Sequence, residues 1–268
     1  MKKACTTSAG ALRTRLSGSV IRYQVGFSLI EMMIAMTLGL LLLLVISTVF
    51  VSSRQTFREQ EDNARIQENG RFALEILGRS IKQAGHVEVP FNDFKVAFEG
   101  MAITGTNGGT GVADTLTIQY EGVANVDQDC EGALVDVTGR LIQNHFNLDA
   151  VNAELQCTGV ISDTPAAPGA PPTGSVLLEN VEDLQLLYGV DIDANQSVDQ
   201  YVASPADWNQ VLAVRLCVLV RSDKTNIVPA GTNYFDCTNT SVANAADRRM
   251  RRAFSATYNL RNRIHSLP

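Results

Sequence analysis

The sequence has few residues that could form a metal centre or a catalytic site by a familiar pattern. It contains three histidines, and none of its five cysteines belongs to a Cys-x-x-Cys pair. Structural zinc sites draw their ligands from such close pairs, so zinc is disfavoured. The sequence also lacks Gly-x-Ser-x-Gly, His-Glu-x-x-His, a P-loop and a dinucleotide fingerprint. We therefore expect a protein that is not an enzyme.

Positive charge is scarce beyond residue 26. Five of the 22 Lys and Arg residues lie in the first 26 positions, which contain no acid, so 17 remain against 28 acidic residues. This remainder has a net charge of −11, which argues against nucleic-acid binding. The C-terminal end is basic. Its arginines could form a site for a polyanion, but we favour solvated charges that protect an edge strand from aggregation. They are Arg248, Arg249, Arg251, Arg252, Arg261 and Arg263.

A long apolar run follows the basic leader. It extends from Phe27 to Val51, 25 residues with a single charge at Glu31. At about 1.5 Å per residue such a helix spans a bilayer. The run exceeds the roughly 7–15 apolar residues of a secretory signal peptide, and no clear Ala-x-Ala site follows it. A plain membrane anchor fits the length and the charge layout, but it leaves the acid in the spanning segment unexplained.

The next segment, residues 54–84, predicts an amphipathic helix. It has no proline, and its apolar residues recur at spacings of three, four and seven. These residues are Phe57, Ala64, Phe72, Ala73, Ile76, Leu77 and Ile81. We expect this stripe to cover a sheet. Gly70 is expected to loosen the helix, and Gly85 is a C-terminal stop signal.

The remaining chain is rich in short apolar strands. Alternating residues predict strands at Asp114–Tyr120, at Val211–Arg221 and at Ala253–Leu260. A fourth, Val176–Val190, is expected to break near Glu179–Asn180. Turn-rich segments at 100–111 and 163–175 separate them. This order favours an α+β fold with one antiparallel sheet over βαβ units.

The cysteines beyond the leader predict two disulfides. Cys5 lies in the leader, and an even number, four, remains, as expected in an exported body. Three pairings are open, and we favour Cys130–Cys157 with Cys217–Cys237 because near pairs close small loops.

One loop is a candidate calcium site. Oxygen-bearing side chains occupy alternate positions, as in a loop that binds Ca²⁺. They are Asp191, Asp193, Asn195, Ser197 and Asp199. Gln196 stands where the calcium loop has glycine, and Val202 where it has a bidentate Glu. The alternative is an ordinary acidic turn, and no other cofactor is indicated.

Residues Gly26-Phe27-Ser28-Leu29-Ile30-Glu31 resemble the class III signal of type IV pilins and pseudopilins. The resemblance implies that a prepilin peptidase cuts after Gly26 and N-methylates Phe27. It further implies that Glu31 pairs with the new terminal amine of a neighbouring subunit during assembly. A buried carboxylate is tolerated when it gains such a partner.

Further segments resemble the PilW branch of minor pilins. They are 52–57, 67–73, 81–85, 188–191, 251–254 and 260–263. The resemblance implies a type IV pilin-like fold, in which a long N-terminal helix packs on an antiparallel β-sheet head. It divides the chain into a removed leader, residues 1–26, and two helix halves, residues 27–53 for the membrane or filament core and 54–85 for packing. Residues 86–268 form the head.

The implied function is that of a structural subunit in a priming complex or at the pilus tip. Expected partners are the prepilin peptidase, other minor pilins, the major pilin and a tip adhesin, in pili that serve twitching motility and cell adhesion. The protein would sit in the inner membrane as a single-pass protein with a periplasmic head, and then in the extracellular pilus. Two alternatives stay open, a J-type pseudopilin of type II secretion and a membrane-tethered binding module that never polymerises.

Overall fold

The computed structural model describes residues 26–89, 98, 100–109, 111–164 and 174–262. Contacts divide the chain into two compact units, with the boundary after Ser52. One helix, α1 (Leu29–Gln83), contributes its first part to the first unit and its second part to the other. Chain residues 1–25 and 263–268, which include the predicted leader except Gly26 and also Arg263, lie outside the described residues.

The second unit contains eleven strands among its described residues. They are β1 (Ile103–Thr106), β2 (Thr115–Glu121), β3 (Leu141–Asp149), β4 (Glu154–Ser162), β5 (Ser175–Glu179), β6 (Val181–Val190), β7 (Gln200–Val202), β8 (Val211–Arg221), β9 (Asn233–Phe235), β10 (Ser241–Ala243) and β11 (Arg251–Asn259). They form a five-stranded sheet in sequential order, a four-stranded sheet in the order β11-β8-β6-β7, and the hairpin β9-β10. Every pairing is antiparallel.

The predicted break at Asn180 is a change of sheet. Strand β5 belongs to the five-stranded sheet and β6 to the four-stranded one. Asn180 between them has a φ of 65°, which asparagine adopts more readily than most residues. Arg221 donates its backbone N–H to the Asn180 carbonyl at 2.9 Å, which ties the corner to β8. The expected single sheet is therefore two sheets joined at this residue.

Helix α1 packs on the head through a stripe that the sequence predicts only in part. Ala73, Leu77 and Ile81 are fully buried as expected. Phe57, Ala64 and Phe72 are exposed, so the prediction was wrong for them. The other buried positions within the stripe are Asp62, Ile66, Gly70, Gly78 and Ser80. The stripe is thus built from small and polar residues as well as apolar ones, which a search for apolar spacing overlooks.

Two glycines of that stripe receive aromatic rings from strand β11. A Cβ on Gly70 would lie 2.3 Å from the Phe254 ring, and one on Gly78 would lie 2.3 Å from the Tyr258 ring. Eight helix residues rise about 12 Å, and four strand residues about 13 Å. The two spacings match, so each glycine leaves room for one ring. Gly70 is therefore a packing contact, whereas the sequence predicts only that it loosens the helix.

The end of the helix is held by a residue that follows strand β11. Gly85 has a φ of 70°, as expected for a residue just past a helix. Asn262 donates from its side chain to the carbonyls of Lys82, Gln83 and Ala84 at 3.1, 3.3 and 3.4 Å. These carbonyls lack helical partners, so Asn262 stabilises the C-terminus of α1.

The sequence missed several strands. Segment 103–106 is strand β1, although it lies in a predicted turn-rich region, and β3 and β4 were not predicted. Buried polar residues interrupt the apolar pattern of β3, namely Gln143, Asn144 and His145. The Asn144 side-chain oxygen accepts from the Cys130 N–H at 2.9 Å. His145 Nδ1 lies 2.8 Å from the Thr117 hydroxyl, and burial lowers the pKa of His145.

The C-terminal arginines are not a uniformly solvated edge. The side chain of Arg251 is 6% exposed and pairs with Glu182 at 2.6 Å and Asp247 at 2.8 Å. The hydrogen bond from Arg251 lowers the pKa of Asp247 to about 2. Arg248 donates to the Val228 carbonyl at 2.8 Å. These arginines hold the connection before β11 in place, whereas Arg252 and Arg261 are exposed.

Both disulfides occur in the pairing that the sequence favoured. Cys130 is bonded to Cys157 with a Cα–Cα distance of 6.2 Å. This bond ties the loop between β2 and β3 to strand β4. Cys217 is bonded to Cys237 with a Cα–Cα distance of 5.6 Å, which ties the β9-β10 hairpin to β8.

Candidate functional site

The segment before helix α1 is open on all sides. Residues 26–28 are not helical, and α1 begins at Leu29. A Cβ on Gly26 would meet nothing within 4 Å, so packing among the described residues does not require glycine there. Phe27 is 84% exposed.

Glu31 lies in the first turn of α1 and is exposed. No cation pairs with it among the described residues. Its position near the helix N-terminus suits a carboxylate, because the helix dipole is positive there. Glu31 lies four positions after Phe27, which precedes the first helical residue, Leu29. The sequence-predicted site thus consists of an exposed Phe before the helix and an exposed carboxylate in its first turn.

The first part of α1 presents an apolar surface on every side. Its large side chains between Leu29 and Val51 are exposed, and the helix is long and apolar enough to cross a membrane. The hydroxyls of Thr37, Ser47 and Thr48 donate to helix carbonyls at 2.7–2.9 Å. Such bonds satisfy polar groups in an environment without water. This surface needs either lipid or other helices as its surroundings.

The candidate calcium loop brings its acidic residues together. Ligand atoms of Asp191, Asp193 and Asp199 lie within 4.8 Å of one another, and Asp191 is buried. Backbone N–H groups of the loop already donate to these oxygens. Asn195 and Gln196 donate to Asp191 at 3.1 and 2.8 Å, and Ile192 donates to Asp199 at 2.7 Å. The loop is closed by its own hydrogen bonds.

Two loop residues adopt the conformation that usually requires glycine. Ala194 has a φ of 60° and Gln196 a φ of 65°. The sequence predicts that Gln196 weakens the calcium interpretation because the sharp turn needs glycine there. Gln196 makes that turn nevertheless, with a left-handed backbone. The Ser197 backbone N–H donates a hydrogen bond to Asn195 Oδ1 at 2.8 Å. The five oxygen-bearing residues therefore share one compact loop.

A buried carboxylate that the sequence did not single out joins the two large sheets. Asp114 accepts from the backbone N–H of Gly108 at 2.9 Å and of Leu186 at 2.6 Å. Its burial raises its pKa, which outweighs these hydrogen bonds. Because its partners are backbone groups of β6 and of the loop after β1, we assign Asp114 a structural role.

Comparisons with known proteins agree with the N-terminal geometry. The family model described as the prokaryotic N-terminal methylation motif matches residues 21–47. The family model described as type IV pilus-assembly protein W, PilW, matches residues 143–262, from β3 past the end of β11. No curated protein sequence matches the chain.

Solved structures are also similar to this chain. A type IV-like pilin from Thermus thermophilus aligns with 74% of this chain and 96% of its own length, at 15% identity and a TM-score of 0.48. The chain is therefore similar to type IV pilus-assembly protein W over residues 143–262, and it carries the prokaryotic N-terminal methylation motif over residues 21–47.

Proposed function

We propose that this protein is a minor pilin that helps to prime a type IV pilus or sits at its tip. Prepilin peptidase cleaves after Gly26 and methylates the amine of Phe27. The apolar part of α1 then holds the subunit in the inner membrane, with the head in the periplasm, until the subunit enters the pilus. One observation carries this proposal: the first turn of an all-round apolar helix has an exposed carboxylate, Glu31, with no ion-pair partner among the described residues.

The same helix surface suits both stages of this process. Lipid tails and the apolar faces of neighbouring helices are similar surroundings, so transfer between them costs little. Glu31 adds a directional contribution, because a carboxylate in an apolar environment gains from a cationic partner. The amine of a neighbouring Phe27 is the partner of matching charge. Partners in this assembly are other minor pilins, the major pilin and an adhesin at the tip.

Mass spectrometry of the native protein tests the processing step. We expect the purified chain to begin with N-methylated phenylalanine at position 27. An intact leader in a chain that still enters pili would contradict the proposal, as would a terminus beyond Val51.

A substitution at Glu31 tests assembly separately from cleavage. Glu31→Ala should be cleaved normally but should lose its incorporation into sheared pili by about tenfold or more, since about 1.4 kcal/mol changes an equilibrium tenfold. Thr37→Ala is the matched control, because that hydroxyl bonds only within its own helix. Normal incorporation of Glu31→Ala would favour a tether that does not polymerise. Loss of protein secretion rather than of twitching would favour the J-type pseudopilin.

We also propose that the loop 191–199 binds Ca²⁺. The supporting observation is the close approach of three carboxylates on one ordered loop. Calcium takes six to eight oxygens, and Asn195, Ser197 and water would complete the set. Titration calorimetry on the full chain should give heat with millimolar Ca²⁺, and Asp193→Asn with Asp199→Asn should abolish it. A folded wild-type protein that gives no heat would refute this site.

A further inference from the structure

A basic groove lies between helix α1 and the end of strand β11. It has a volume of about 610 Å³. Four cations line it, with one acid, Glu75. These cations are Arg71, Arg79, Lys82 and Arg261. Such a concentration of positive charge contrasts with the residues beyond the leader, where acids exceed bases by 28 to 17.

Most of these cations have no acidic partner. Arg79 approaches Glu75 at 3.5 Å, with both side chains largely exposed. Within the part of the chain that the structure describes, Arg71, Lys82 and Arg261 form no ion pair. Lys82 lies 5.2 Å from the centre of the Tyr258 ring. The groove therefore presents a positive field that the fold leaves unneutralised.

The strand beside this groove is an unpaired edge. In the four-stranded sheet β11 is a terminal strand, and no described strand pairs with its outer side. The Leu260 N–H donates to the Leu212 carbonyl of the adjoining β8 segment. Hydrogen-bonding residues alternate along an antiparallel strand, so Ala253, Ser255, Thr257 and Asn259 direct their backbone groups outward. Such an edge is a template for another chain.

The opposite end of the same sheet is acidic. Strand β7 is the other terminal strand. The stretch around it, residues 190–210, has four aspartates and no Lys or Arg. Asp193, Asp199 and Asp207 are exposed there. A cation of β8, Arg215, lies 4.4 Å from the centre of the Tyr201 ring on this strand. The sheet therefore has one basic edge and one acidic edge.

We propose that the basic edge of one copy docks the acidic edge of a second copy, head to tail. The basic edge comprises Arg71, Lys82, Arg261 and the outer side of β11, and the acidic edge comprises β7 with its loop 191–199. Opposite charges fix the register and the orientation of such a contact. Because the two surfaces differ, the contact is heterologous and continues from copy to copy instead of closing as a two-fold dimer.

This inference rests on the proposed role as a pilus subunit, and its test is made independent of the membrane helix. All chains carry Glu31→Ala, so that pairing through the membrane helix does not contribute. Sedimentation velocity of the full chain in detergent, with EDTA to keep loop 191–199 free of Ca²⁺, gives the oligomeric state at low and high salt. We expect concentration-dependent association at low salt that disappears at high salt, because the charges are screened.

Charge reversal on each edge gives the decisive comparison. Arg71→Glu with Arg261→Glu, or Asp193→Lys with Asp199→Lys, should each weaken self-association about a hundredfold, because like charges then face each other. An equimolar mixture of the two variants should associate as the wild type does. Arg58→Glu with Arg65→Glu is the matched control with the same change of charge on α1, and it should associate normally. Circular dichroism and melting curves verify that each variant is folded.

Three outcomes would overturn the proposal. The first is a chain that stays monomeric at low salt, in which case the groove serves another acidic protein. The second is an equal effect of the control variant. The third is a mixture that fails to associate. None of these touches the processing of Gly26 or the role of Glu31, which the mass spectrum and pilus incorporation decide.

Discussion

At the residue scale, the contact between helix and head depends on two missing side chains. Gly70 and Gly78 lie under Phe254 and Tyr258, and the Tyr258 hydroxyl donates to the Leu74 carbonyl at 2.9 Å. Any Cβ at either glycine would overlap a ring. The two rings and the hydroxyl therefore fix both the distance and the axial register of α1 on strand β11.

Alanine at these glycines should destabilise the head. Alanine gains up to about 1 kcal/mol of helix propensity, but overpacking costs about 1–3 kcal/mol. We expect Gly70→Ala and Gly78→Ala each to lower the free energy of unfolding in denaturant titrations. Gly39→Ala is the control, because a Cβ there meets nothing within 4 Å.

A double substitution separates the clash from a general effect on the helix. Phe254→Ala removes the ring, so Gly70→Ala should cost nothing further in that background. If Gly70→Ala lowers the free energy of unfolding by the same amount in the Phe254→Ala background, the packing of the ring on Gly70 is contradicted.

A second feature at this scale is a buried carboxyl group on the packed face of α1. Asp62 is 1% exposed, and neither of its carboxylate oxygens has a hydrogen-bond partner among the described residues. Spacing rules would place an apolar residue there. The structure offers no reason for an aspartate at this position.

At the element scale, the corner between β5 and β6 determines how the chain passes from the five-stranded sheet to the four-stranded sheet. The chain leaves one sheet and enters the other within a single residue, Asn180, whose φ is 65°. Its side-chain oxygen lies 3.5 Å from Arg221 Nε. A β-branched residue is strained in this conformation, whereas glycine is not.

Valine and glycine at position 180 should therefore have different effects on the free energy of unfolding. Asn180→Val should lower the free energy of unfolding by about 1–2 kcal/mol, the cost of a left-handed backbone in an L-residue. Asn180→Gly should stay within about 1 kcal/mol of the wild type. Equal losses from the two variants, measured by denaturant titration, would show that the side chain and not the backbone matters.

At the scale of the whole molecule, the two compact units have different kinds of surface. The first exposes its apolar side chains, whereas the second buries an apolar core that includes Ala73, Leu77, Ile118, Leu184 and Val218. Every buried residue of that core lies beyond Ser52. The head should thus not depend on the first unit for its stability.

This expectation can be tested with a chain of residues 53–268. Expressed in an oxidising compartment, it should be soluble, contain both disulfides and unfold cooperatively within a few degrees of the full chain in detergent. Thermal melts followed by circular dichroism provide the measurement, with a reduced sample as control. A chain that aggregates with its disulfides intact would contradict the assignment of the core.

The extent to which the sequence predicted this molecule differs between elements. Strand β8 occurs with the predicted bounds, and β2, β5, β6 and β11 lie within a few residues of theirs, because the apolar residues of these segments alternate clearly. Strands β3 and β4 escaped prediction because β3 buries polar side chains. The predicted burial of Phe57 and Phe72 was wrong, because the burial of a helix residue depends on which face of the helix meets the sheets.

The sequence by itself determined the local chemistry of this protein. The junction at Gly26, the acid at Glu31, the apolar run and the pairs of nearby cysteines all involve residues close together in the chain, so their spacing carries the information. Only the tertiary structure decided which distant residues meet. It placed Phe254 on Gly70, changed sheets at Asn180 and set a basic and an acidic edge on one sheet. Such contacts join residues far apart in sequence, and packing complementarity rather than periodicity selects them.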